Sequence, residues 1–150
     1  MFAAMMRART CPVLVLWLLA TATTLAAESP LAIQGYDAVA YFTRERATPG
    51  DARFEYQWDE RRWWFASAEN RRRFVADPVR YAPQFANFCA VALARGEVKV
   101  ANPEYWLISD GKLYLFGKPE GPALFRQNLP ANIDKANQHR NLLPGQRAAE

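Results

Sequence analysis

A chain of 150 residues, 51% hydrophobic and 13% aromatic, is long enough for one domain with a compact core, and its even spread of Pro, Gly and charge marks no second one. The formal net charge of +4 overstates the basicity of the folded part: Arg7 and Arg9 precede the first acid, Glu28, so residues 28–150 hold 17 bases against 15 acids, a net of +2. That balance argues against nucleic acid or an anionic membrane surface as partner, and a Gly-rich phosphate loop and internal repeats are both missing, so no nucleotide cofactor is expected.

Residues 1–9 carry two arginines and no acid, residues 12–19 are apolar, and residues 21–27 are small and polar, ending in Ala26-Ala27. This is the layout of a secretory signal peptide over residues 1–27. The apolar run falls short of the about 20 residues an uncleaved anchor needs, so the expected product is exported, periplasmic or secreted, with no membrane span after cleavage. Cys11 precedes the apolar run and leaves with it, making Cys89 the sole mature cysteine. In an oxidising compartment such a residue is buried, paired with another chain, bound to metal or kept reactive.

Beyond the signal, Leu31-Ala32-Ile33-Gln34 is a short apolar segment broken at Gly35-Tyr36-Asp37, and Asp37 is placed to cap a short helix through Phe42. A charged loop with Pro49-Gly50 follows. Phe54, Tyr56 and Trp58 alternate with Glu55 and Gln57, and with Arg62-Trp63-Trp64-Phe65 they predict a β-hairpin with one aromatic face. The same alternation accounts for Trp58 and Trp63 as core, leaving Trp64 as the candidate for an exposed aromatic face. Ser67 is placed as N-cap of a helix with Glu69 in its first turn, Phe74 and Val75 inward and Arg71, Arg72 and Arg73 outward. Asp77-Pro78 starts another turn, with Val79, Tyr81 and Phe85 leading into the next segment. There Asn87 reads as an N-cap, which sets Cys89 at the second helical position of an Ala-rich run ending at Gly96. A thiolate is favoured at such a place; the competing expectation is a small buried hydrophobe. Ser109-Asp110-Gly111 between two apolar runs is a strong hairpin signal, and Leu124, Phe125, Leu129, Ile133 and Ala136 space as a helical face interrupted by Pro130. Residues 143–150 are expected to fray.

The catalytic inventory is thin. His139 is the only histidine, and a Cys–His couple requires Cys89 and His139 to meet in space. A four-ligand zinc site within one mature chain is excluded by the shortage of thiolates and imidazoles. Any metal needs mixed ligands, and a soft metal such as copper suits one thiolate.

Several blocks in order, Gly35-Tyr36-Asp37-Ala38-Val39-Ala40-Tyr41-Phe42, Trp63-Trp64-Phe65-Ala66-Ser67-Ala68-Glu69-Asn70, Asp77-Pro78, Tyr81-Ala82-Pro83-Gln84-Phe85, Phe88-Cys89-Ala90 and Asp110-Gly111-Lys112-Leu113-Tyr114-Leu115, resemble the exported branch of the YHS-domain family. The likeness covers residues 31–142 and implies a small single-domain α+β fold, treble-clef-like, with aromatic β-hairpins packed on short helices. Some relatives carry selenocysteine at the position matching Cys89, which implies a redox or soft-metal role there. Metal-binding YHS modules place cysteines just after the hairpin, where this chain has Phe65-Ala66-Ser67-Ala68-Glu69, and the family's two glycines before the cysteine are here Ala86-Asn87. The expected site is therefore Cys89 as redox thiol or metal ligand, with Tyr36, Asp37 and His139 as candidate co-ligands and Tyr81 ranked lower. The expected partners are a metal ion or a redox protein. The alternative expectation is a non-catalytic interaction or small-ligand module with a structural cysteine.

Overall fold

The computed structural model describes residues 28–144; the expected signal peptide lies outside them. The fold starts from the two aromatic hairpins that the alternation predicts. Strands β1 (Asp51–Trp58) and β2 (Arg61–Phe65) pair antiparallel with Tyr56 opposite Trp63 and Trp58 opposite Arg61. Strands β3 (Asn102–Ser109) and β4 (Lys112–Phe116) pair with Leu107 opposite Tyr114 and Ile108 opposite Leu113. Both turns place their two central residues at positive φ, Asp59 and Glu60 at 51° and 57°, Asp110 and Gly111 at 49° and 70°. This left-handed pair matches the twist of the strands it joins.

A two-stranded sheet is marginal alone, so each hairpin is covered by helices. Helix α1 (Ala40–Thr43) precedes the first hairpin; α2 (Ala68–Ala76) and α3 (Pro78–Tyr81) follow it. Ser67 accepts a hydrogen bond from the Asn70 N–H at 3.1 Å and caps α2; Asp77 caps α3 with Pro78 at its first position. Phe74 of α2 enters the aromatic face of the hairpin, its ring 4.7 Å from Trp63, 5.0 Å from Phe65 and 5.8 Å from Trp58. Such pairs add about 0.5–1.5 kcal/mol each beyond their burial, which makes Phe74 the anchor of the first core. Val75, expected to face inward, is exposed instead, as is Val79, because the short α2 and α3 present only one residue per turn to the core.

The second core is built on β3 and β4 by α4 (Ala90–Ala94), α5 (Gly121–Arg126) and α6 (Leu129–Gln138), with Pro130 in the first turn of α6 rather than within one longer helix. Phe125 sits 5.4 Å from both Tyr114 and Phe116. Gly121 makes this packing possible, since a Cβ there would lie 2.5 Å from that of Phe116. Leu143, placed by the sequence in a frayed end, is 3% exposed and belongs to this core; residues 145–150 lie outside the described part. The architecture is α+β, two small antiparallel sheets with short helices. The N-terminal segment ties the second hairpin to the first core. Tyr41 donates to the Pro103 carbonyl at 2.9 Å with its ring 5.4 Å from Trp106, and Gln34 donates to the Ala101 carbonyl at 2.8 Å. Among the described residues no helix is long and apolar enough to cross a membrane.

Candidate functional site

Cys89 is held by its backbone rather than by a helix. The chain stays extended from Asn87 to Cys89 because it pairs with residues 99–101: the Ala101 N–H donates to the Asn87 carbonyl at 2.7 Å, and the Cys89 N–H donates to the Lys99 carbonyl at 2.8 Å. Helix α4 therefore begins only at Ala90, and Cys89 is its N-cap residue, at φ −70° and ψ 116°. This corrects the expectation of an Asn87 cap with Cys89 inside the helix. With five residues, α4 is little more than one turn. A macrodipole argument for the thiol loses its basis, since the dipole sums over many aligned peptide units.

Cys89 is 8% exposed and borders a cleft of about 250 Å³. Opposite it lies Gly117, where a Cβ would stand 3.8 Å from Sγ and 3.4 Å from the Val100 carbonyl oxygen. Gly117 is outside the positive-φ region, so its backbone conformation does not demand glycine; what the missing side chain leaves is open space beside the sulfur. Arg95, Lys99 and Lys118 stand on the cleft wall with Glu97 and Glu120, and Val100 at its rim is 62% exposed. Lys99 is ion-paired to Glu97, and its hydrogen bond holds the Glu97 carboxyl below the usual range. Arg95 and Lys118 have no ion-pair partner among the described residues.

The other expected site residues are elsewhere. Asp37 is fully buried in the first core and Cys89 lies in the second. The Asp37 carboxyl accepts four hydrogen bonds: Val39 and Ala40 N–H on Oδ1, Ala66 N–H and the Asn70 side chain on Oδ2. The N-cap position of α1 is Val39 rather than Asp37, but the Asp37 carboxyl holds the N–H groups of Val39 and Ala40 at that start and ties it to the β2–α2 junction. Tyr36 donates to Glu104 at 2.6 Å, a hydrogen bond that raises the phenol above its ordinary range. His139 donates from Nδ1 to the Leu93 carbonyl at 3.0 Å, a carbonyl being able only to accept, and its Nε2 faces Gly96 at the far end of α4 from Cys89. Tyr81 packs in the first core against Phe42. Among the described residues no three His, Cys, Asp or Glu side chains come close enough to share a metal ion. Cys89, Tyr36, Asp37 and His139 do not form one ligand set, and a soft metal held by them does not fit this geometry.

Trp64 is not an open platform either. Its indole N–H donates to Glu55 at 2.7 Å and its ring lies over Gly35. Sequence reasoning missed Gly117 and Lys118, which come to the cleft from a chain segment far from Cys89 in sequence, and, in the first core, Asn70. Asn70 carried a readable signal: it lies four residues before Phe74, on the same helical face, and is buried with it.

The chain matches no known protein family, no curated protein and no solved structure.

Proposed function

We propose that the chain is an exported YHS-like domain whose Cys89 is an exchange thiol serving redox chemistry at the cleft. The observation that carries this reading is the open space beside Sγ, bounded by Gly117 and reached from solvent through the cation-flanked cleft. The chemistry follows from one sulfur. The thiol loses its proton to solvent, the thiolate attacks one sulfur of an external disulfide RS–SR′, the Cys89 S–SR bond forms, and R′S⁻ leaves with the electron pair of the broken bond. With no second cysteine among the described residues, the mixed disulfide is resolved by a thiol from outside the chain.

The test is intact mass and peptide mapping of the folded protein after incubation with oxidised glutathione, beside Cys89→Ser. The expected result is one adduct, mapped to Cys89, formed under native conditions and absent in the variant. An adduct at Cys89 that forms only after unfolding would make the cysteine a structural one.

A further inference from the structure

A second cleft, of about 210 Å³, lies where the two cores meet: Ile33 and Trp63 on its wall belong to the first, and Arg140, also on its wall, sits over Phe85 of the second. Its backbone is unusual. Ile33 and Ala86, both on the wall, sit in the left-handed region at φ 38° and 49°. That region disfavours any residue with a Cβ, and a β-branched one most. A turn needed only for chain reversal would be easier with glycine. Here Ile33 is 1% exposed, and its turn is held by the Tyr36 N–H on the Ile33 carbonyl at 3.0 Å; Ala86 is held by its N–H on the Pro83 carbonyl at 3.2 Å. Held strain of this kind clusters at ligand sites.

The wall also carries hydrogen-bonding capacity that the fold leaves unused. The side chains of Arg61 and Asn87, both half-buried, make no hydrogen bond or ion pair among the described residues. Arg140 is committed, donating to the Gln84 carbonyl at 2.9 Å and to Asn137 at 3.0 Å. Two arginines stand against a single acid, Asp59, so the cleft favours an anion. Apart from Gln84 the remaining wall is apolar, with the half-buried Trp58 and, at the rim, Val79, 72% exposed. The volume is below the roughly 300–1,000 Å³ of pockets for drug-sized ligands, which limits the occupant to about one ring with one acidic group.

We infer that this cleft binds a small aromatic carboxylate, its ring against Trp58 and Val79 and its carboxylate on the Arg61 guanidinium and the Asn87 amide. The site is independent of Cys89. Calorimetric titration of the full chain with phenylacetate, and with benzyl alcohol as the uncharged counterpart, tests it. Phenylacetate is expected to bind saturably and more tightly than benzyl alcohol. Arg61→Ala is expected to weaken phenylacetate about tenfold or more, because a charge-assisted pair is lost. Cys89→Ser is expected to bind like the parent chain. Should Arg61→Ala fail to fold, Asn87→Ala reads the same contact, with a smaller but measurable weakening. Equal binding of the acid and the alcohol, no saturable binding of phenylacetate, or an unchanged affinity in a folded Arg61→Ala or Asn87→Ala chain would overturn the inference.

Discussion

Asn70 donates from its side-chain amide to Oδ2 of Asp37 at 2.6 Å, joining two residues 33 apart in sequence inside the first core. Asp37 gathers three further N–H donors from two separate stretches of backbone, so one carboxyl group fixes how α1 meets the β2–α2 junction. The isosteric change Asp37→Asn replaces one acceptor oxygen by an NH₂ that must face donors. Each hydrogen bond to a charged group is worth about 1.5–3 kcal/mol and a buried donor left alone costs about 1–3, so a loss of about 3 kcal/mol or more is expected. Asn70→Ala removes one donor and leaves Oδ2 with the Ala66 N–H, for a smaller loss of about 1.5–3 kcal/mol. Urea denaturation of both variants decides; the reverse order of losses would show that Asp37 is not the hub.

Gly117 offers a separate handle on the thiol. Because its φ lies outside the left-handed region, a side chain is tolerated by the backbone, and a Cβ would meet Val100 and Cys89 at ordinary contact distances of 3.4–3.8 Å. Gly117→Ala should slow modification of Cys89 by a neutral cysteine reagent with the melting temperature little changed, and Gly117→Val, whose methyl groups reach past the Cβ, should slow it further. A modification rate insensitive to both substitutions would mean that the reagent reaches the sulfur by another path.

Much of the fold was legible because it rests on local rules. Ser67, Asp77-Pro78 and Asp110-Gly111 act through neighbours in sequence, and the alternation around Trp58 and Trp63 shows which side faces the core. Cys89 was misplaced by two helical positions for a non-local reason: residues 99–101 draw Asn87 and Cys89 into an extended pairing that no feature of residues 85–96 announces. The same holds for Gly117 beside the sulfur and for His139, which the packing of α6 on α4 commits to Leu93. The candidate ligand set rested on residue type, and tertiary placement separates its members.

Three tyrosines make stability sensitive to alkali. Tyr36 is raised above its ordinary value of 10.0 by its hydrogen bond to Glu104, Tyr41 by burial, and Tyr114 by burial with Asp110 nearby. A raised acid keeps its proton in the folded state at a pH where the unfolded chain has released it, so the unfolded state gains as pH rises. Their contribution is fully present below about pH 10 and is lost above it. Unfolding free energy should be insensitive to these groups up to that pH and fall beyond it, and Tyr41→Phe should flatten the fall most, since the buried Tyr41 is raised furthest. A fall of unchanged slope in Tyr41→Phe would assign the alkaline limit to other groups.

The first hairpin turn is built with residues that resist its shape. Asp59 and Glu60 both hold positive φ, where the favoured pair is Asn-Gly, and Glu60 is exposed with no hydrogen bond or ion pair among the described residues. Replacing it by glycine removes the Cβ–carbonyl crowding of the left-handed region, about 1–2 kcal/mol. Against this stands the greater backbone freedom of glycine in the unfolded chain, about 0.4–1 kcal/mol. The strain relief is the larger, and no packing is lost, so Glu60→Gly is expected to stabilise the protein by about 0.5–1 kcal/mol. Ala52→Gly, on the same hairpin but outside the positive-φ set, carries only the entropic cost and should destabilise. Thermal unfolding of the two variants side by side separates the effects, and a destabilised Glu60→Gly would show that the turn relaxes to another geometry in solution.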